Sequence, residues 1–305
     1  MKAASSRGRA WLQLVRPPNL FTVPGDPLAG FVVAGVGAGC VPSLSQAVLP
    51  VLSALCLYVG GLIGNDVADE AEDRRDRPER PIPSGRISRR EALAAAVLCG
   101  VLGLLLALAA GGRVFLAAVL VQGAVLAYNG GLKRFTIPGA LAMGACRGGS
   151  VLVGATAVGW PAGGGPGLVV VLAVGMLLYI AGVTWIADRE TETLHLGFRR
   201  WLPLVIVLGL WVLAGAYQAW WQQIPLVFWL LGGVAATWSI RQAWQLRGSP
   251  PPPVVGRAVG ALIRGLLLIQ VGFCALGGTH GMAAAAGLLV LWPLSAVVAR
   301  WFYAS

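Results

Sequence analysis

The residues best suited to chemistry in this chain form one acidic run, Asn65-Asp66-Val67-Ala68-Asp69-Glu70-Ala71-Glu72-Asp73-Arg74-Arg75-Asp76, joined to the end of an apolar stretch. On a helix advancing about 100° per residue, Asn65, Asp69 and Asp73 project within about 80° of one another, and Glu72 and Asp76 share that face. Like charges at this spacing repel, so a chain keeps them together when cations neutralise them. Carboxylate and amide oxygens suit a hard cation, and Mg²⁺ is usually held by one or two carboxylates together with substrate phosphates. The expected ligand is a magnesium-diphosphate complex; a solvated loop of mixed charge is the alternative reading.

Three further groups could take part. Asp188 and Glu192, at the end of another apolar run, fall on one helical face while Glu190 points away. They form either a second metal site or a plain helix-end charge patch. Lys133 and Arg134 close the stretch that begins at Tyr128; they could bind phosphate oxygens, or serve only as orientation charges. Arg147 lies inside an apolar run among the small residues Gly144, Ala145, Gly148, Gly149 and Ser150. An intramembrane arginine is by default a functional candidate; its expected partner is Asp26 or a bound anion, with a purely structural ion pair as the alternative. His195 and His280 are isolated, no Ser/His/Asp, HExxH or Cys/His arrangement occurs, and the glycine pairs follow no strand, so they read as close helix packing.

The elements that position these residues are membrane helices. Of 305 residues, 57% are hydrophobic and 11% charged, with a mean hydropathy of +0.76, and apolar stretches of about 20 residues, each long enough to cross hydrocarbon, recur throughout. Lipid offers backbone groups no partners, so the spans must be helices. They are expected near 19–39, 47–67, 90–110, 113–130, 138–158, 167–187, 201–219, 225–245, 257–277 and 282–302, forming one integral-membrane domain over 1–305. Its core runs from 19 to 302, and loops 65–90, 131–137 and 188–200 cap the site. The net charge of +11 does not indicate nucleic acid, because the basic residues sit in short loops between spans. With a cytoplasmic N-terminus, all of the 23 Lys and Arg except Arg113, Arg147 and Arg264 fall inside, as the positive-inside rule requires. Every acid except Asp26 then lies on that same side. Lys2, Arg7, Arg9 and Arg16 resemble a signal-peptide n-region, but Pro24-Gly25-Asp26-Pro27 interrupts the apolar run, and a retained first span is expected. Cys40, Cys56, Cys99, Cys146 and Cys274 read as small core residues without disulfides. Ser88-Arg89-Arg90-Glu91 reads as a capping box opening the third span, and the prolines of 78–85 predict a lid-like, non-helical connection before it.

Asn65-xxx-Asp69-xxx-Asp73, Arg16-Pro17-Pro18-Asn19, Arg80-Pro81-Ile82-Pro83-Ser84-Gly85 and the Tyr128 to Lys133 stretch together resemble the UbiA superfamily of intramembrane prenyltransferases, over about residues 11 to 280. The stretch from Thr184 to Glu192 is similar to the EboC-like subgroup. The resemblance implies an all-α bundle of nine to ten spans around a central cavity that opens laterally to lipid. It implies transfer of a prenyl group from a prenyl diphosphate to an aromatic or other lipophilic acceptor at the cytoplasmic side, with one or two Mg²⁺ ions. Carried onto this chain, it makes Asp69, Asp73, Asp188 and Lys133 catalytic and Asn65, Asp69, Asp73, Asp188 and Glu192 metal ligands. Arg16, Asn19, Tyr128, Lys133, Arg134 and Arg147 are the candidate substrate-binding residues. The chain departs from the family pattern in having Glu192 where an aspartate is usual and ten expected spans where nine are common. The expected location is a bacterial inner membrane. Two other readings compete: a non-enzymatic carrier or scaffold for lipid-linked intermediates, its path lined by Asp26, Arg147 and Arg264, and an ion-coupled transporter, whose charges should lie near the bilayer midplane.

Overall fold

The structure is a computed structural model describing residues 7–40, 43–160, 167–188, 195–219 and 224–301. The described residues form α-helices and short 3₁₀ turns, with no strand. The short helices α1 (Arg7–Val15) and α2 (Pro17–Leu20) lead into α3 (Gly25–Gly37). Then come α4 (Val48–Ala68), the short α5 (Glu70–Asp76), α6 (Arg89–Ala110), α7 (Gly112–Gly130), α8 (Thr136–Ala155) and α9 (Gly167–Ala187). The chain ends with α10 (Leu202–Ala219), α11 (Leu226–Gln245), α12 (Pro252–Cys274) and α13 (Gly278–Val298).

Nine helical segments among the described residues are long and apolar enough to cross a membrane. The eighth of the ten expected spans, 225–245, forms α11 but is not one of them: Thr237, Ser239, Arg241, Gln242 and Gln245 make its C-terminal half polar. The first crossing is the broken run Pro17–Gly37, interrupted where Pro24 and Pro27 limit backbone hydrogen bonding.

Two packing features position the site. First, α8 is pressed against α3, α7 and α9 through its small residues. An added Cβ at Gly144 would overlap the Leu177 carbonyl, one at Gly148 the Ala173 carbonyl, and one at Gly154 the Pro27 carbonyl. Without side chains there, the backbones approach closely enough to bury Arg147. Second, the connection between α5 and α6 is pinned rather than loose. Ile82 and Ile87 are buried with Ala10 and Leu14 of α1, Ile63 and Val67 of α4, and Ala92 of α6. The expected capping box opens α6: the Ser88 hydroxyl accepts from the Glu91 N–H, and the Glu91 carboxylate accepts from the Ser88 N–H, so two otherwise free donors are satisfied.

All five cysteines are free thiols, but one expectation fails: Cys40 is exposed beyond the C-terminus of α3, and of the five only Cys274 is fully buried. Arg16, between α1 and α2, has φ 47° and ψ 68° and is the one described non-glycine residue with positive φ, a conformation that costs about 1–3 kcal/mol and is held in place by the surrounding structure.

Candidate active site

The acidic run does not continue α4 as one unbroken helix. The helix ends at Ala68, Asp69 adopts φ −88° and ψ 0°, and α5 begins at Glu70. The four-residue register nevertheless survives, because the Asp69 N–H donates to the Asn65 carbonyl at 2.9 Å and the Asp73 N–H to the Asp69 carbonyl at 2.8 Å. Asn65, Asp69 and Asp73 therefore keep the common face that their spacing implied. All three line one cavity of about 460 Å³, together with Arg16, Asn19, Tyr128 and Arg147.

Lys133 joins this face from the α7–α8 connection. Gly131 has φ 151° and ψ −19°, a region open to glycine and costly for other residues, and it turns the chain so that Lys133 points back across α4. The Lys133 ammonium donates to Asn65 Oδ1 at 3.0 Å and forms an ion pair with Asp69, while Asn65 Nδ2 donates to Asp69 Oδ2 at 3.0 Å. Asn129, one turn before, donates to the Gly61 carbonyl at 3.0 Å, fixing α7 to α4.

Three contributors escaped the sequence reading. Asp66 is only 5% exposed, and its carboxylate meets Arg16 at 3.0 Å and Arg80 at 3.9 Å. Arg80 itself reaches out of the proline-rich connection and donates to both oxygens of Asp73, at 2.9 and 2.8 Å. The third is Tyr58, on the cavity wall two turns inside Asn65. Spacing carries a signal for Tyr58, since a residue seven positions before Asn65 shares its face, and Arg80 lies in the Arg80-Pro81-Ile82-Pro83-Ser84-Gly85 motif. The carboxylates Asp66, Asp69 and Asp73 thus each have a cationic partner in Arg16, Lys133 or Arg80. The expected repulsion is relieved inside the protein by these side chains.

The remaining candidates divide. Asp188 lies just past α9 and accepts from the Thr136 hydroxyl at 3.0 Å, while Thr184 and Ala187 of α9 line the cavity. Arg134 is exposed and is not among the lining residues. Glu192 lies outside the described residues. Among the described residues, no three His, Cys, Asp or Glu side chains gather closely enough to hold a metal by themselves. The oxygen donors facing the cavity (Asn65, Asp69, Glu72, Asp73 and Asp76) fit an ion that takes one or two carboxylates and completes its shell from water and phosphate.

Below the mouth the wall is largely apolar, built by Val121 and Val125 of α7, Ile180 and Val183 of α9, and Val259, Ile263 and Leu266 of α12, with Thr22, Arg147 and Ser150 as polar exceptions. An acidic and cationic rim over an apolar shaft can hold a molecule with a polyanionic head and a hydrocarbon tail.

The UbiA prenyltransferase family model matches residues 28–250. The chain belongs to the UbiA prenyltransferase family. It is 34% identical over 154 residues to the digeranylgeranylglyceryl phosphate synthase of Ignicoccus hospitalis, a match covering 50% of this chain and 49% of that protein. With the synthase of Thermococcus gammatolerans the identity is 35% over 151 residues, covering 50% and 54%. The chain spans about half the length of these curated relatives. Among solved UbiA structures, a homologue from Aeropyrum pernix superposes with a TM-score of 0.64 at 20% identity, covering 85% of this chain and 98% of that one. One from Archaeoglobus fulgidus, bound to GPP and Mg²⁺, does so with a TM-score of 0.59 at 16% identity, covering 88% and 100%. These likenesses establish the all-helical membrane fold. The matches bear on the UbiA family as a whole and not on the EboC-like resemblance.

Proposed function

We propose that this chain is a Mg²⁺-dependent prenyltransferase that moves a prenyl group from an allylic prenyl diphosphate to a lipophilic acceptor. The observation that carries the proposal is the Asn65–Asp69 pair held by Lys133 beside the Arg80–Asp73 pair, with Asn65, Asp69, Asp73 and Arg80 lining the mouth of a largely apolar cavity. The family, the diphosphate-bound and Mg²⁺-bound neighbour and the names of the relatives support the same reading.

In this reading the diphosphate sits at the rim and the prenyl chain runs down the shaft. Asn65, Asp69 and Asp73 would hold the metal, with Asp188 as a further oxygen ligand. When bound, Mg²⁺ supplies charge neutralisation for the leaving group. Lys133 and Arg80 turn from carboxylate to phosphate oxygens, keeping their charged hydrogen bonds as they change partner. The allylic C1–O bond breaks with its electron pair going to pyrophosphate. An electron pair of the acceptor then forms the new bond to C1, and the acceptor's proton leaves to pyrophosphate or water. Tyr58 and Tyr128 present ring faces near the allylic cation, and the valines and isoleucines of the shaft exclude water.

The chain is read as a single integral-membrane unit over 1–305, supported by a continuous core that α3 shares with α8 to α13. The distribution of Lys and Arg supports a cytoplasmic N-terminus and rim. The relatives are archaeal and lend no support to a bacterial inner membrane in particular. The carrier reading is disfavoured: Arg264 is not among the lining residues, and Asp26 is fully buried behind Arg147.

Purified protein in nanodiscs, given geranylgeranyl diphosphate and an acceptor panel, should release pyrophosphate with Mg²⁺ and stop when EDTA is added. Asp69→Ala should abolish release. Absence of both diphosphate binding and turnover across the panel would overturn the proposal.

A further inference from the structure

The rim network leaves a buried pair of charges, Arg147 and Asp26, unused. Arg147, on α8, is 5% exposed and lines the cavity, eleven residues into a helix that begins at Thr136, or about 16 Å below the rim at 1.5 Å per residue. Its Nε meets Asp26 Oδ2 at 3.0 Å, and its Nη2 donates to the Thr22 carbonyl at 3.2 Å and the Thr22 hydroxyl at 3.0 Å. Asp26, 0% exposed, is held in turn by Gln270 Nε2 at 2.6 Å, and the same amide donates to the Thr22 carbonyl at 2.8 Å. The Tyr58 ring lies 6.0 Å from the guanidinium carbon.

Nη2 finds its acceptors in Thr22, Nε faces Asp26 Oδ2 as an ion pair without hydrogen-bond geometry, and Nη1 donates no hydrogen bond to the described residues. The protein side is closed by Asp26, Gln270 and Thr22, so an oxygen for Nη1 has to come from the cavity. Nη1 is not among the fully buried atoms without a partner, so it opens on the cavity that Arg147 lines, and a charged donor inside a membrane span favours an oxygen partner there. Charge narrows the class of ligand. Asp26 already balances Arg147, so a bound carboxylate or phosphate would leave a net negative charge at this depth, whereas a hydroxyl, carbonyl or ether oxygen adds none.

We infer that Arg147 Nη1 is the docking point for the acceptor, and that the acceptor presents an uncharged oxygen there, beside the Tyr58 ring. The inference rests on the prenyltransferase reading, since it divides the cavity between a diphosphate at the rim and a polar acceptor group beneath it. Asp26, Gln270 and Thr22 are positioning residues that aim the guanidinium.

The test uses the full chain in nanodiscs, saturated with Mg²⁺ and the unreactive geranylgeranyl thiolodiphosphate, and measures calorimetric binding of 1-naphthol and 1-naphthoate against empty discs. The wild type should bind 1-naphthol at least tenfold more tightly than 1-naphthoate. Replacing both charges together, Asp26→Leu with Arg147→Met, avoids an unpaired buried ion; it should weaken 1-naphthol at least tenfold and leave the thiolodiphosphate Kd within threefold. Arg147→Lys keeps the pairing with Asp26 but loses the forked donor, and should weaken 1-naphthol three- to tenfold at an unchanged melting temperature; it carries the test if the double variant does not fold. Tighter binding of 1-naphthoate, unaltered 1-naphthol binding in a folded variant, or no 1-naphthol binding by wild type that holds the thiolodiphosphate would each overturn the inference. If the wild type fails to bind the thiolodiphosphate, the prenyltransferase reading itself falls.

Discussion

Lys133 is the residue on which the rim turns. One ammonium satisfies both Asn65 and Asp69, and in the proposed reaction it is transferred to the leaving pyrophosphate. A charged hydrogen bond is worth about 1.5–3 kcal/mol. Lys133→Ala should therefore lower kcat/KM for the prenyl diphosphate roughly 10- to 100-fold, measured by pyrophosphate release, with the acceptor KM little changed. Arg80 has a different balance. Its removal leaves Asp73, 5% exposed, without its bidentate partner. Arg80→Ala should cost about 1–3 kcal/mol in the ligand-free protein, seen as a lower melting temperature, and Asp73→Asn in the same chain should recover part of the loss. If the single variant melts as the wild type does, the Arg80–Asp73 pair does not stabilise the rim.

At the level of elements, the α7–α8 connection and the α8 surface do separate work. Gly131 sets the direction of Lys133 without contributing a side chain. Gly131→Ala should add about 1–2 kcal/mol of backbone strain and reproduce the kinetic defect of Lys133→Ala, with a modest fall in melting temperature. Gly148→Leu should do the reverse of this in kind: its Cβ overlaps the Ala173 carbonyl, so α8 and α9 must separate, and folding should suffer by about 1–3 kcal/mol or more. Thermal melts in nanodiscs beside single-turnover assays would tell the two apart. A Gly131→Ala protein with wild-type turnover would remove the turn from the account of the site.

For the molecule as a whole, the testable feature is sidedness. Cys40 is exposed at the end of α3 opposite the rim, whereas Arg86 is half-buried on the pinned connection beside the rim. A variant retaining Cys40 as its sole cysteine should react with a membrane-impermeant maleimide in intact cells. Cysteine introduced by Arg86→Cys into a cysteine-free chain should react only after the membrane is opened. The opposite pattern would invert the proposed topology while leaving the fold and the site geometry intact.

Much of this protein was legible in its sequence because the membrane imposes short-range rules. Twenty-residue apolar runs have to be helices, Ser88 and Glu91 are three residues apart and cap locally, and four-residue spacing keeps Asn65, Asp69 and Asp73 on one face even where the helix itself breaks at Asp69. Length and polar content compete in 225–245, which forms α11 yet is not among the nine segments apolar enough to cross a membrane, and nothing local distinguishes the exposed helix end at Cys40 from the core. What only the tertiary structure decided were the pairings of Arg16 with Asp66, Arg80 with Asp73 and Lys133 with Asp69, and that Arg147 meets Asp26, one of its two expected partners. Except for Arg80 and Asp73, seven positions apart, these are residues 50, 64 or 121 positions apart brought into contact by helix packing, which depends on many small and apolar side chains acting together. No spacing in the sequence encodes which cation meets which carboxylate.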